Sequence, residues 1–261
     1  MPSMASERTI ALGERTITRI GLGSNRLTDT PENRAFLQGA VEAGIDHVDT
    51  AHLYTGGGSE ATIGAALAPF PGELTVATKG GYHPGGGPAN LRAELEESYA
   101  RLQADTIALY YVHRVDPDAG IEAMLEPLAE AREAGRIENV GISEVSVAQI
   151  ELARTVVPIA AVQNEYSMGE GKHADVLEYC EAEGIVFVPF FPLRGGDREA
   201  LAEVAARHDA TVQQVKLAWL LRRSPAIAPI PGSLSLEHVR ENLAALDLEL
   251  SDQEFEALSH G

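Results

Sequence analysis

The stretch that decides the fold is "GIDHVDTAHLYTGGGSEATIGAALA", residues 44–68. Its run "IDHVDT" contains β-branched residues and is typical of a buried strand. After a glycine-rich turn, "SEATIGAALA" has the length and the apolar spacing of a helix. The stretch therefore predicts one unit in which a strand is followed by a helix.

The same βα unit recurs along the chain. Other strand candidates are "RIGLGS", "LTVATK", "TIALYYVH", "NVGIS", "IAAVQNEY", "IVFVPF" and "AIAPIPG". Other helix candidates are "TPENRAFLQGAVEAG", "ANLRAELEESYARL", "IEAMLEPLAEAREAG", "VSVAQIELARTV", "HADVLEYCEAEG", "DREALAEVAARH" and "TVQQVKLAWLLRR". Eight such units without a linker predict a closed (β/α)8 TIM barrel over residues 1–261 as a single domain, rather than an open doubly wound sheet. The segment "TIALGERTITRI" predicts an N-terminal β-hairpin at the barrel bottom.

The composition excludes several classes of protein. A formal net charge of −19 disfavours nucleic acids and anionic membranes as partners. The sequence has no apolar run of about 18 residues, and the N-terminus lacks a basic start followed by an apolar run, so we expect a cytoplasmic protein that does not span a membrane. Cys180 is the single cysteine. It cannot form an internal disulfide, and its helical context predicts a small core residue.

Ionisable side chains collect at the carboxyl ends of three consecutive strand candidates. Asp49 ends the first of these strands, Tyr54 lies in the loop after it, Lys79 ends "LTVATK" and His113 ends "IALYYVH". The carboxyl ends of barrel strands form one rim, which is where the active sites of such barrels lie. We therefore expect these four groups to meet in a catalytic site.

The four residue types suit proton transfer to a carbonyl oxygen. A phenol has an ordinary pKa of about 10, and a neighbouring ammonium lowers such a pKa by roughly 1–3 units. We predict that Lys79 assists Tyr54 as a proton donor and that Asp49 keeps Lys79 charged. His113 would orient the carbonyl oxygen from the other side.

The motifs "DTAHLY", "ATKGG" and "YYVHR" resemble, in order and spacing, the Asp, Tyr, Lys and His tetrad of the aldo-keto reductase superfamily. The segments "VGIS", "VQNEYS", "FFPL" and "PIPGSLSLEHVRENL" are similar to the segments of that family that bind nicotinamide and the adenine phosphate. The resemblance covers nearly the whole chain. It implies a reductase that uses NAD(P)H to reduce a small aldehyde or ketone on a (β/α)8 barrel, with Asp49, Tyr54, Lys79 and His113 as catalytic residues.

The resemblance also implies a set of cofactor contacts. Ser143 and Gln163 would bind the carboxamide of the nicotinamide, and Phe190 would stack on its ring. The whole set is Ser143, Gln163, Phe190, Pro192, Leu193, Gly232, Ser233, His238 and Asn242.

The phosphate segment can also be read physically. Ser235 is a plausible N-cap, so free backbone N–H groups and the helix dipole can meet a phosphate there. Gly232 and His238 stand where many members of the family carry Lys and Arg, which removes fixed charges for a 2′-phosphate. NADPH is therefore the expected cofactor by resemblance, and NADH remains possible. Glu144 stands where Asn is common, and its effect on nicotinamide binding is left open.

Alternatives remain at this stage. His47, Asp49 and His52 could form a metal site, although Asp49 is better used by Lys79, and we predict no metal. The segment "GGYHPGGGP" follows a strand without the GxGxxG spacing, which favours a rim loop over a phosphate cradle. The alternative to an enzyme is a regulatory or interaction protein that binds nicotinamide nucleotide with little turnover. The resemblance suggests a monomer and a small or ring-shaped carbonyl substrate, pyridoxal among them.

Overall fold

Parallel strands form the centre of the protein in a computed structural model that describes residues 8–259. The strands are β1 (Thr9–Leu12), β2 (Arg15–Thr18), β3 (Leu22–Gly23), β4 (His47–Asp49), β5 (Thr75–Gly80), β6 (Ile107–Val112), β7 (Ile137–Ser143), β8 (Ile159–Gln163) and β9 (Val186–Phe187). Strands β3 to β9 pair in parallel, each with its neighbour in the chain. This order is the one expected when successive βα units curl into an α/β barrel.

Helices connect the strands of this sheet and cover its outer face. They are α1 (Pro31–Glu42), α2 (Gly58–Leu67), α3 (Gly87–Leu102), α4 (Gly120–Glu133), α5 (Val147–Val156), α6 (Ala174–Glu183), α7 (Arg198–Arg207), α8 (Val212–Arg223), α9 (Leu236–Ala244) and α10 (Asp252–Ser259). The helix candidates of the sequence all correspond to helices here. Among the described residues no helix is long and apolar enough to cross a membrane.

Several helices, α1, α5, α7, α8 and α9, begin where a side chain satisfies a free backbone N–H group. Thr30 caps α1 by accepting a hydrogen bond from the Asn33 N–H at 3.2 Å, and Pro31 occupies the first turn, as predicted. Ser146 and Thr211 begin α5 and α8, each with a reciprocal capping box. These side-chain caps stabilise the starts of the capped helices through contacts within the same stretch of chain.

Strands β1 and β2 pair with each other as an antiparallel hairpin outside the main sheet. Leu12 and Ile17 on the hairpin are fully buried, in one cluster with the apolar side chains that the barrel strands point inward. Arg15 bonds Glu138 near the start of β7, and the Thr18 N–H donates to Asp46 just before β4 at 2.9 Å. The hairpin thus lies against the amino ends of these strands.

The eighth strand candidate, residues 226–232, does not form a continuous strand. The Ala228 N–H donates to the Phe187 carbonyl of β9 at 2.9 Å, and the Gly21 N–H donates to the Pro229 carbonyl at 2.9 Å. Pro229 and Pro231 have no N–H to donate, which interrupts the ladder. The segment lies between β9 and the start of β3 and forms fewer backbone hydrogen bonds than a strand would. The prediction of a continuous strand here was therefore wrong.

The core has two parts. A large apolar cluster fills the space between the sheet and the helices, and a smaller one occupies the interior of the barrel. Cys180 is buried in the larger cluster, as predicted, and burial raises the pKa of its thiol to about 12. The N-terminus was expected to lack a basic start followed by an apolar run, and residues 1–7 of that segment lie outside the described residues.

Candidate active site

A buried ion pair stands at the carboxyl ends of β4 and β5. The Lys79 Nζ lies 2.5 Å from Asp49 Oδ1 and donates to the Thr50 carbonyl at 2.6 Å. Burial disfavours the ammonium, but the attraction of Asp49 and then of Tyr54 outweighs burial, so the pKa of Lys79 is raised above its ordinary value. Lys79 is therefore a fixed positive charge beneath the cavity floor.

Tyr54 stands beside this charge on a short 3-10 turn, Tyr54–Gly57, that follows β4. The Lys79 Nζ lies 5.0 Å from the centroid of the Tyr54 ring. Thr55 and Gly56 both have left-handed backbone conformations, with φ of 51° and 65°. The Thr55 hydroxyl donates to the Leu27 carbonyl at 2.8 Å and holds the turn against the loop after β3. A strained, anchored turn thus aims the phenol into the site.

His113 follows β6 and completes the group of four. Its backbone N–H donates to the Gly80 carbonyl at 2.7 Å. The imidazole ring meets the Tyr54 ring edge-to-face, with the centroids 5.9 Å apart. Burial, followed by the positive charges of Lys79 and Arg114, lowers the pKa of His113 to about 2. The imidazole is therefore neutral at any physiological pH, and it can act as a hydrogen-bond donor but not as an acid.

A cavity of about 750 Å³ opens above these groups on the carboxyl rim. Asp49, Tyr54 and His113 line it, whereas Lys79 is fully buried below. Predicted cofactor residues that also line the cavity are Ser143, Gln163, Phe190, Pro192, Leu193, Gly232, Ser233 and His238. Asn242 is buried on α9 and does not line the cavity. The structure thus brings all but one of these residues to the same cavity, and the cofactor roles of the whole set stay predictions.

Ser143 and Gln163, the predicted partners of the nicotinamide carboxamide, stand next to the tetrad. Gln163 Nε2 donates to Asp49 Oδ2 at 2.9 Å, so the amide also braces the carboxylate that holds Lys79. The Ser143 hydroxyl accepts a hydrogen bond from Arg114 NH1 at 3.2 Å. The part of the cavity at which nicotinamide is expected thus adjoins the four predicted catalytic residues.

The opposite end of the cavity is built by the N-terminus of α9. Ser235 caps this helix by accepting from the His238 N–H at 3.4 Å, as predicted. The Ser233 hydroxyl accepts from the Ser235 N–H at 3.0 Å. The positive end of a helix dipole and an exposed histidine therefore face this part of the cavity.

A sequence model of the Aldo/keto reductase family matches residues 19–200 and 197–260. The chain belongs to the aldo/keto reductase family. It is 36% identical over 274 residues to an uncharacterized oxidoreductase of Schizosaccharomyces pombe, covering 96% of this chain and 88% of that protein. It is 34% identical over 274 residues to pyridoxine 4-dehydrogenase of Escherichia coli, covering 95% of this chain and 96% of that protein. A crystal structure of an aldo-keto reductase from Klebsiella pneumoniae in complex with NADPH superimposes with a TM-score of 0.86 at 27% identity, covering 96% of this chain and 93% of that one.

Within this member of the aldo/keto reductase family, sequence reasoning missed several cavity residues. Arg26 lines the cavity next to Asn25, whose Oδ1 lies near Gly232, whereas Arg240 on α9 is exposed and does not line it. Arg114 and Tyr82 line the cavity beside His113. The position of Arg114 directly after His113, a predicted catalytic residue, was a signal that could have identified it. Arg26 lies in a loop whose direction no local pattern reveals.

Glu144, the unusual residue after Ser143, points away from the cavity. Its backbone is left-handed, with φ of 55°, a conformation that Asn adopts more readily than Glu. Glu144 Oε1 accepts from the Glu165 N–H at 2.8 Å, and the other oxygen lies 3.7 Å from Lys172 Nζ. Its carboxylate therefore ties two rim loops together and does not line the wall at which nicotinamide is expected.

The histidines of the open metal alternative face different surroundings. His47 is fully buried and neither ring nitrogen has a hydrogen-bond partner among residues 8–259. His52 Nε2 lies 2.9 Å from Glu97 on α3. No group of three or more His, Cys, Asp or Glu side chains in the described part of the chain is arranged to hold a metal ion.

Proposed function

We propose that this protein is an NADPH-dependent oxidoreductase that reduces a small aldehyde or ketone to an alcohol, with Tyr54 as the proton donor. The observation that carries the proposal is the convergence of Tyr54, His113 and the buried Lys79–Asp49 pair on the floor of one large cavity. Proton transfer to a carbonyl oxygen needs an acid, a charge that stabilises its conjugate base, and a group that orients the oxygen. The site contains all three.

The groups that line the cavity suit nicotinamide adenine dinucleotide phosphate. One end offers the Ser143 hydroxyl, the Gln163 amide and the Phe190 ring to a nicotinamide. The other end offers the N-terminus of α9 together with Arg26 and His238, neither of which pairs with a carboxylate among residues 8–259. Helix N-termini and unpaired cations are the groups that bind phosphate. The NADPH complex of the Klebsiella pneumoniae relative supports the same assignment.

Each catalytic residue then has one task. When bound, the reduced nicotinamide supplies the hydride. Tyr54 gives its phenol proton to the carbonyl oxygen, and the ammonium of Lys79 stabilises the phenolate that remains. Asp49 keeps that ammonium charged and fixed, since its carboxylate is the partner of Lys79 Nζ at 2.5 Å. The neutral imidazole of His113 donates a hydrogen bond to the carbonyl oxygen and orients it.

The substrate is a small carbonyl compound that reaches the Tyr54 end of the cavity. Tyr82 and Leu53 line the cavity at this end and give it a partly aromatic wall. Aromatic walls stack on flat rings. The relative named pyridoxine 4-dehydrogenase supports placing pyridoxal among the substrates to be tested.

Several coarser expectations belong to the same proposal. We infer that residues 226–232 complete a (β/α)8 barrel, since they bond to β9 on one side and to Gly21 on the other. A single domain over residues 1–261, a monomeric state and a cytoplasmic location stay predictions. Size-exclusion chromatography with light scattering tests the monomer.

The test combines turnover with binding. Purified protein is mixed with NADPH or NADH and a panel of aldehydes and ketones that includes pyridoxal, and cofactor oxidation is followed by absorbance. Cofactor affinity is measured in parallel by fluorescence titration. Steady turnover with a carbonyl supports the reductase, whereas tight NADPH binding without turnover of any compound refutes it in favour of the regulatory binding protein.

A further inference from the structure

Arg114 occupies a defined position beside the catalytic histidine. Its NH1 donates to the His113 carbonyl at 2.7 Å and to the Ser143 hydroxyl at 3.2 Å. Its guanidinium carbon lies 5.6 Å from the centroid of the Tyr82 ring, and Tyr82 in turn meets the His113 ring at 4.9 Å. The side chain lines the cavity and is half-buried. Arg114 is therefore held at the substrate end of the site.

The charge of Arg114 is not neutralised by the protein. Within residues 8–259 it forms no ion pair with a carboxylate, whereas Arg194 at the same cavity pairs with Glu165. Asp49 is the one carboxylate of the tetrad, and its oxygens are used by Lys79 and Gln163. An unpaired, half-buried cation is costly unless a ligand compensates it. A chain with a net charge of −19 has acidic side chains in excess, which makes the missing partner informative.

The free donors of Arg114 have the geometry of a carboxylate site. Both of its hydrogen bonds to the protein use NH1, so Nε and NH2 keep N–H groups for a ligand. Two N–H groups on one edge of a guanidinium match the two oxygens of a carboxylate. The cofactor phosphates are expected elsewhere, because Arg26 and His238 stand at the α9 end of the cavity and Arg114 stands next to Ser143 at the nicotinamide end.

We propose that Arg114 binds a carboxylate of the substrate, so that the preferred substrates are small aldehydes or ketones that carry a carboxylate. This inference rests on the proposed reductase function. The carboxylate would place the carbonyl group beside Tyr54 and His113, and Arg114 would act as a specificity-determining residue. A neutral carbonyl compound of the same shape would still react but would bind less well.

The experiment compares acids with their neutral esters. The pairs are 2-carboxybenzaldehyde, 4-carboxybenzaldehyde and succinic semialdehyde, each against its methyl ester, so that several distances between carbonyl and carboxylate are sampled. The wild-type protein should show kcat/KM about 10- to 100-fold higher for the acid of at least one pair, which is the usual worth of a hydrogen-bonded charge pair. Arg114→Gln should bring the acid-to-ester ratio of kcat/KM close to one, whatever its effect on the rate with the ester, and Arg114→Lys should keep part of the preference.

The controls separate this effect from folding and from general electrostatics. Arg154→Gln removes an equal charge from an ion pair between α5 and α6, far from the cavity, and should leave the acid-to-ester ratio unchanged. In the wild-type protein the ratio should decrease as salt rises, which keeps the inference testable if Arg114→Gln does not fold. Equal turnover of acid and ester in every pair, or an unchanged ratio in Arg114→Gln, overturns the role of Arg114 alone. Absence of turnover with every carbonyl overturns the reductase function and this inference with it.

Discussion

Replacement of Tyr54 by Phe removes a single oxygen from the active site. The ring keeps its contacts in this variant, with Lys79 Nζ at 5.0 Å from its centroid and the His113 ring at 5.9 Å, and the change is confined to the hydroxyl that interacts with Lys79. The anchored turn that carries the residue also stays as it is, because its hydrogen bond uses Thr55. We therefore expect Tyr54→Phe to fold normally and to bind NADPH with nearly the affinity of the wild-type protein.

The rate should fall steeply because neither neighbour can replace the lost acid. The ammonium of Lys79 is bound to Asp49 and to the Thr50 carbonyl, and its raised pKa means that it keeps its proton. His113 has a pKa of about 2 and has no acidic proton to give near pH 7. Loss of a positioned general acid costs about 10²–10⁴-fold in rate, or about 3–5.5 kcal/mol in the barrier, and the absence of a substitute places this variant near the upper limit.

The assay measures single-turnover oxidation of NADPH by stopped-flow absorbance, next to a fluorescence titration of the cofactor. Tyr111→Phe is the matched control, because its ring also lies near Lys79, at 5.9 Å, but its hydroxyl is buried and does not line the cavity. This control should keep the wild-type rate. A Tyr54→Phe protein that retains more than about a tenth of that rate would refute Tyr54 as the proton donor.

Three further predictions concern packing, pH and cofactor choice. Gly64→Ala should destabilise the fold by about 1–3 kcal/mol in urea unfolding, although Ala favours helices, because the added Cβ would lie 2.3 Å from the Arg101 carbonyl oxygen. The control Gly72→Ala, where no atom lies within 4 Å of the added Cβ, should be neutral. His113 binds a proton in the unfolded chain near pH 6.5 but in the folded one only at about pH 2. Its contribution to the free energy of unfolding should therefore fall by about 1.4 kcal/mol per pH unit as pH decreases from about 6 to 3, and His113→Asn should reduce the measured slope by that amount; an unchanged slope contradicts a neutral buried imidazole. Arg26→Gln should weaken NADPH more than NADH in fluorescence titrations, and wild-type affinity for NADPH should fall with salt; equal effects on both cofactors argue against a phosphate contact.

Local patterns in the sequence were sufficient to locate the elements and the tetrad. The spacing of apolar residues over short stretches predicts the strands and helices, and the residues next to Thr30 and Ser235 identify these two as N-caps. Once a barrel is predicted, the carboxyl ends of its strands must share one rim. The proximity of Asp49, Tyr54 and Lys79 therefore follows from chain order alone.

Side-chain partners across the barrel were decided only by tertiary structure. Gln163 bonds Asp49, which is 114 residues away in the chain, and among the described residues Arg114 lacks the carboxylate partner that Arg194 has. Both facts depend on which loops meet in the folded chain. The segment 226–232 shows the same limit, because its prolines interrupt a ladder that an apolar pattern predicts. Secondary structure is encoded by neighbours in the chain, whereas charge pairing and cavity shape arise from contacts between distant residues. The sequence therefore determined where Asp49, Tyr54, Lys79 and His113 stand, and only the folded chain decided what surrounds them.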